Sequence, residues 1–373
     1  MIIAGYEYLG QKPFENVYFT GIVRDQHRRK MSKSLGNSPD PIKLMEKYGA
    51  DGVRVGMLLC SPAGGDLLFD ESLPEQGRNF ANKIWNAFRL VKTWEVDDNL
   101  EQPEASKMAT AWLNAKLNET SKKLDKQFEQ FRLSEALMTV YKLFWDEFSS
   151  WFLEIIKPAY QQPIDGKTMS ETIVLFDRLL HILHPFMPFI TEEIWHYLEE
   201  RNAGESLMVT PARKVGTYDS KDMDLFEQAK EVVAGVRKVR KEKNIAMKEG
   251  LDLFVNKGDE AWPGHYESVI SKLANVNKLE HATAKVEDAT SFLVRTHECF
   301  IPVGDMIDKE AELEKLNKEL DYNKGFLNSV MKKLGNERFV NNAPEKVVEA
   351  ERKKKDEKKK KIKTLEEQIA NLS

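Results

Sequence analysis

Val17-Tyr18-Phe19-Thr20-Gly21-Ile22-Val23 leads, through the basic segment Arg29-Lys30-Met31-Ser32-Lys33-Ser34-Leu35-Gly36-Asn37, to Pro39-Asp40-Pro41. The first run is β-branched and aromatic and bounded by polar residues, which predicts a buried strand. Pro41 suits the first turn of a helix that runs through Glu46, and Gly49 suits its end. The segment between is therefore a strand-to-helix loop with two ammonium groups, two hydroxyls and a glycine. That set suits a polyphosphate: lysines supply point charges, hydroxyls and backbone N–H groups supply donors, and a helix start adds a favourable dipole. Basic loops are commonly just solvated, but lysine-serine pairs directly after a buried strand are rarer.

Outward from this loop the pattern turns helical. A second short helix is expected over Asp51 to Leu59, and Ser61-Pro62-Ala63-Gly64-Gly65 breaks it. From Glu71 to about Glu200 apolar residues recur at three and four spacing, as in Phe80, Ile84, Phe88 and Val91, or Leu137, Tyr141, Phe144 and Phe148. Gln102-Pro103-Glu104 and the stretch 160–166 divide this region, predicting a bundle of about four long helices. Beyond Ser206 a small mixed unit follows: a helix over Asp222 to Lys243, a strand over Leu251 to Val255, a helix near Tyr266 to Ala274, and strands near Lys278 and over Phe292 to Ile301.

The last segment alternates three and four steps at Leu313, Leu316, Leu320, Leu327, Val330 and Leu334, with Asn323 at one seam position. Gly335-Asn336 stops that helix and Pro344 starts another, whose stripe carries Ile362, Leu365, Ile369 and Leu372 but also Lys355 and Lys358. A chain that folds back near Val340 sets Asn323 level with Lys358, giving a hairpin loosely held at its middle with Arg338, Phe339 and Val340 at its tip. The fold class is thus mainly α: the end of a nucleotide-binding α/β fold (1–70), a helical bundle (71–205), a small α+β unit (206–304) and a C-terminal antiparallel coiled-coil hairpin (305–373).

Composition limits the function classes. The chain has 373 residues, 41% of them hydrophobic and 31% charged. No apolar run reaches the ~20 residues that a spanning helix needs, and the first residues lack the pattern of a signal peptide. A cytoplasmic address is expected, with no membrane partner. Two cysteines, Cys60 and Cys299, support neither a disulfide framework nor a cysteine zinc site, so no protein-bound metal is expected. A net charge of −4 leaves nucleic-acid binding to local patches. Two exist: Arg237, Lys238, Arg240, Lys241 and Lys243, and the run from Lys353 to Lys363. The bland reading of each is a solvated helix face.

Lys30-Met31-Ser32-Lys33-Ser34 resembles the K-M-S-K-S signature of class I aminoacyl-tRNA synthetases. Its flanks, Gly21-Ile22-Val23-Arg24-Asp25 and Leu35-Gly36-Asn37, are similar to those of the valine, isoleucine and leucine subgroup, as is Tyr48-Gly49-Ala50-Asp51-Gly52-Val53-Arg54. Asn82-Lys83-Ile84-Trp85-Asn86, Trp151 to Pro158 and His184 to Trp195 look like pieces of that subgroup's anticodon-binding bundle. Val236 to Arg240, Asn244-Ile245-Ala246, Ile301-Pro302-Val303-Gly304 and Phe339-Val340-Asn341-Asn342-Ala343-Pro344 resemble the C-terminal arm of the valyl enzymes. The isoleucyl enzymes commonly end in a cysteine module instead, which two isolated cysteines cannot build. One departure stands in the turn before the signature, where Arg28 occupies about the place of an expected glycine.

The class carries a second signature, H-I-G-H. His181-Ile182-Leu183-His184 imitates it, but lies in an apolar helical stretch and after the lysine signature, which marks both histidines as helix-core or interface residues.

The resemblance implies the C-terminal portion of a monomeric ligase that activates valine with ATP, magnesium arriving on the nucleotide, and then charges valine tRNA. Lys33 would meet the leaving pyrophosphate. Lys30 would place the loop and add a second phosphate contact, and Met31, Ser32 and Ser34 would complete the ATP-binding segment. Arg237, Lys238, Arg240, Lys241, Lys243 and Arg338 would contact tRNA. With half the nucleotide site upstream, the chain alone is expected to be inert. The alternatives are a tRNA-binding or scaffold module derived from a synthetase, and a purely structural arm.

Overall fold

The computed structural model describes residues 1–19, 21–60, 65–211, 215–283, 286, 289–303 and 309–335, together with 349, 352, 355, 358, 362 and 366. The chain divides into two units, Met1–Glu231 with Ala261–Leu273, and Val232–Glu260 with Ala274–Ser373.

The first unit opens with helix α1 (Ile2–Leu9) and strand β1 (Val23–Arg24). Then come helices α2 (Pro41–Tyr48) and α3 (Ala50–Leu59) and strand β2 (Leu67–Leu68), which pairs parallel with β1. The expected strand over Val17–Val23 is corrected to its last residue plus Arg24. A strand exists through its ladder, and β2 offers a ladder two residues wide, leaving Val17 and Phe19 56% and 78% exposed. The helix at Pro41 forms as expected: Asp40 caps it by accepting from Ile42 N, and Gly49 stands just past its end.

The bundle consists of α4 (Ser72–Lys92), α5 (Glu104–Glu129), a continuous helical stretch from α6 (Leu133–Lys142) to α7 (Leu153–Ile156), α8 (Gly166–Leu183) and α9 (Pro188–Leu198). A parallel pair of two-residue strands, β3 (Val96–Asp97) and β4 (Ile164–Asp165), joins its loops. Phe80, Ile84 and Val91 on α4 are wholly buried, as their spacing predicts. Between α6 and α7, Leu143–Phe152 winds as a π-helix, an irregularity with no simple signal in the sequence. Its Phe144, Phe148 and Phe152 point into the core, where Phe144 and Phe148 also pack on Phe176.

The α2–α3 segment is bolted to this bundle. Gly52 and Gly77 meet where α3 crosses α4, so closely that a Cβ on Gly77 would lie 2.2 Å from the Gly52 carbonyl oxygen. Asp51 accepts from the backbone N–H groups of Phe189 and Ile190 at the start of α9 (3.3 and 2.7 Å), and Arg54 donates to the carbonyls of Pro185 and Phe186. Burial holds the Asp51 carboxyl above the usual range, against these two N–H groups and the nearby Arg54.

In the second unit, the later residues of α10 (Ser220–Glu242) are followed by β5 (Leu251–Asn256), then, after α11 (Glu267–Ala274), by β6 (Val276–His281), β7 (Ala289–Val294) and β8 (His297–Pro302). The sheet order is β6-β5-β8-β7, with β6 parallel to β5 and the other pairs antiparallel. The stretch Phe292 to Ile301, expected to be extended, is a hairpin whose turn holds Arg295 at φ 52°, a conformation that glycine or asparagine would have advertised. Leu251, Leu253, Val255, Cys299, Phe300 and Ile301 are wholly buried. Helix α12 (Lys309–Leu334) buries Leu320, Asn323 and Val330. Residues 349, 352, 355, 358, 362 and 366 are helical, Ile362 is buried, and Lys358 Nζ donates to Asn323 Oδ1 at 2.8 Å. The expected tip at Arg338–Val340 and the seam residues Leu365, Ile369 and Leu372 lie outside the described residues.

Candidate nucleotide site and nucleic-acid surface

The loop that carries the lysines is tied down by side chains at both ends. Backbone bonds Asp25 N to Arg29 O and Arg28 N to Asp25 O close a three-residue turn, and Met31 N donates to Val23 O. Val23–Arg24 and Lys30–Met31 thus form the two sides of a short hairpin. Arg28 ends the turn at φ 63°, the left-handed region that favours glycine. The Asp25 carboxylate fills the turn: it accepts from His27 N and Arg29 N through Oδ1, and from Arg29 Nε and Asn37 Nδ2 through Oδ2, at 2.8 to 3.0 Å. The Asn37 amide and Arg29 hold this carboxyl far below the usual carboxylate range.

Beyond the turn, Met31 is half-buried against Leu44, Tyr48, Leu67 and Phe69. It serves as the apolar anchor of the loop, with its side chain directed toward this cluster. Ser32 caps the following turn, Lys33–Leu35, by accepting from Leu35 N, and its Oγ lies 3.1 Å from that of Ser34. Gly36 closes the turn at φ 64°. Lys30 and Lys33 are exposed, and neither forms an ion pair among the described residues. An open groove of about 400 Å³ runs beside the loop, lined by Asp25, His27, Arg29, Asn37, Phe69 and Asp70, among others.

Asp25 and Asn37, which in the sequence stand only as flanks of the signature, fix the loop from both sides. An aspartate that opens a short polar turn is itself a signal, because its carboxylate reaches the N–H groups two and four residues on.

His181 lies in the last turn of α8 and His184 just past its end. His181 Nδ1 lies 2.9 Å from the Asp177 carbonyl, one turn back on α8, and His184 Nδ1 lies 2.8 Å from Thr191 Oγ1. Burial lowers the affinity of His184 for a proton. Among the described residues no group of three His, Cys, Asp or Glu could hold a metal ion, and no helix is long and apolar enough to cross a membrane.

The basic cluster at the end of α10 separates into two kinds of residue. Arg237, Lys238 and Lys241 are exposed, and Lys243 is half-buried. Arg240 is corrected: it is 2% exposed, and its guanidinium donates to the carbonyl oxygens of Ala246, Ala274 and Asn275 at 2.9 to 3.2 Å. Its donors clamp the backbone between α11 and β6 to the loop after α10, and burial keeps the guanidinium from a phosphate. Arg338 lies outside the described residues.

Comparison with known proteins matches three family descriptions. Residues 1–70 match tRNA synthetases class I (I, L, M and V), residues 110–255 match the anticodon-binding domain of tRNA ligase, and residues 308–373 match the valyl tRNA synthetase tRNA binding arm. All of this chain aligns with the valine–tRNA ligase of Parabacteroides distasonis at 57% identity and with that of Clostridium acetobutylicum at 34%, spanning 42% and 44% of those proteins. A solved ternary complex of Agrobacterium radiobacter K84 LeuRS with tRNA and LeuAMS overlaps 58% of this chain and 26% of its own, at 23% identity and a TM-score of 0.42.

Proposed function

The chain belongs over its whole length to the valine–tRNA ligase family, and we propose that it supplies the lysine loop and the tRNA-binding parts of an ATP-dependent enzyme that forms valyl-adenylate and charges valine tRNA. The observation that carries this reading is the presentation of Lys30 and Lys33: two exposed ammonium groups with no carboxylate partner among the described residues, on a backbone fixed by Asp25, Asn37 and Met31.

As valine attacks the α-phosphate, negative charge builds on the departing pyrophosphate, and positioned cations lower that barrier. Lys33 neutralises the leaving pyrophosphate and Lys30 makes a second phosphate contact. The hydroxyls of Ser32 and Ser34 share one hydrogen bond, so the pair keeps one O–H for the nucleotide. Met31 acts through its packing. Magnesium comes with ATP, and no residue of this chain is assigned to hold it.

Arg237, Lys238 and Lys241 on α10 and Lys243 just past its end, with Arg338 in the arm, contact tRNA phosphates, and 305–373 forms an antiparallel coiled-coil hairpin that carries part of this surface. The segments 1–70, 71–205 and 206–304 act as the end of the catalytic fold, the anticodon-binding bundle and a small linking unit. The enzyme works as a cytoplasmic monomer.

ATP–pyrophosphate exchange tests the reading. In the intact ligase that carries this chain, Lys33→Ala lowers exchange by about 10²-fold or more, and the chain alone gives none. Exchange by the chain alone, or full exchange by Lys33→Ala, would overturn it.

A further inference from the structure

Resting on that reading of the lysine loop, we propose that Asp25 and Asn37 are positioning residues for adenylate formation: as a pair they fix the backbone on both sides of Met31 and so set where Lys30 and Lys33 are presented.

The Asn37 carboxamide uses both ends. Its Oδ1 accepts from Ser32 N at 2.9 Å, while Nδ2 donates to Asp25 Oδ2 at 3.0 Å and to the Lys30 carbonyl at 3.3 Å. The amide can face only one way, since reversal would set oxygen against two oxygens and N–H against N–H. Asp25, 8% exposed, holds the other side of the hairpin through His27 and Arg29. Lys30 and Ser32 are therefore held through one carboxamide, and that carboxamide is held by one carboxylate. Attachment of the loop to the fold is already provided by Met31 on its apolar cluster. What the polar pair adds is orientation of the backbone from which both ammonium groups spring, and small misplacements of catalytic groups are costly in rate.

The pair can be reversed. Asn37→Asp puts two carboxylates about 3 Å apart, so they repel unless a proton bridges them. Asp25→Asn with Asn37→Asp removes that repulsion: the new amide at 25 still accepts from His27 N and donates to the new carboxylate, which still accepts from Ser32 N, while Arg29 loses its carboxylate partner and the Lys30 carbonyl its donor.

The experiment uses the intact ligase that carries this chain. Asn37→Asp is expected to lower kcat for ATP–pyrophosphate exchange by about 10-fold to 10²-fold. The KM for valine stays unchanged, as does transfer from preformed valyl-adenylate to tRNA. Exchange recovers as pH is lowered, and the exchanged pair regains part of the loss. The proposal is overturned if Asn37→Asp exchanges normally, if the exchanged pair is no better than Asn37→Asp, or if transfer falls in step with exchange. Should Asn37→Asp fail to fold, the neutral Asn37→Ala carries the same expectation, and normal exchange by it is equally fatal. Lys33→Ala is measured alongside. Loss of exchange there with normal exchange in the Asn37 variants defeats only the positioning proposal, whereas full exchange by Lys33→Ala defeats the nucleotide reading beneath it.

Discussion

Lys358 donates from Nζ to Asn323 Oδ1 at 2.8 Å, and the same ammonium stands 5.0 Å over the ring of Phe326. Asn323 is 1% exposed and lies on a stripe with buried Leu320 and Val330, so this polar pair interrupts an apolar seam. Polar seam residues fix register at a cost in stability. Lys358→Leu takes the donor from a buried carboxamide and should cost about 1–3 kcal/mol. Leucine at both positions should restore that and exceed the parent. Thermal melts followed by helical circular dichroism rank the three; a single variant as stable as the double one would contradict this account.

Arg240 and its exposed neighbours should respond oppositely. Arg240→Met leaves the carbonyls of Ala246, Ala274 and Asn275 without a charged donor and should destabilise its unit by about 3 kcal/mol, with tRNA affinity per folded molecule unchanged. Replacing Lys238 and Lys241 by alanine should leave stability within about 0.5 kcal/mol and flatten the dependence of log affinity on log salt by about 2. Filter binding over a salt series, paired with urea melts, distinguishes these outcomes. Equal salt slopes for the parent and the lysine variant would remove both residues from the interface.

Arg28 holds a left-handed conformation at an exposed turn position. Glycine adopts it without the Cβ clash, so Arg28→Gly should stabilise the loop by about 1 kcal/mol, and Arg28→Val should weaken it by a similar amount. Limited proteolysis of the loop reads the effect: slower cutting for glycine, faster for valine. Cutting rates in the reverse order would mean that the arginine side chain itself holds the turn.

The Cys299 thiol is pushed up to about 12 by burial, with Glu298 adding to the effect, and the side chain is wholly enclosed. It should therefore resist alkylation in mildly alkaline buffer and react only as its sheet unfolds in urea. Half-buried Cys60, also raised by burial, should react slowly without denaturant. Peptide mapping after timed alkylation checks both; rapid labelling of Cys299 in buffer would show that the sheet opens.

What could be read in advance was whatever a local rule governs. Asp40-Pro41 and Gly49 bound a helix by capping chemistry, and the face Phe80, Ile84, Phe88 and Val91 needs nothing beyond periodicity. Asn323 and Lys358 were matched by counting turns. Features set by tertiary partners were not legible. Val17–Phe19 has strand composition but no ladder to join among the described residues, and the π-helix at Leu143–Phe152 depends on how rings pack across the bundle. Arg240 is indistinguishable in sequence from Lys241, yet one points at carbonyls and the other at water. The lysines of the candidate site were conspicuous as charges; the carboxylate and carboxamide that orient them were visible only as flanking letters.

The bare meeting of Gly52 with Gly77 leaves α3 and α4 touching backbone to backbone, with no side chain between them to compress or change rotamer. Glu71, at the head of α4, accepts from both Lys47 and Tyr48 at the tail of α2. A tilt of the bundle's first long helix therefore reaches the platform under Met31 undamped. The joint works as a rigid lever arm, and even one methyl group at residue 77 would loosen it.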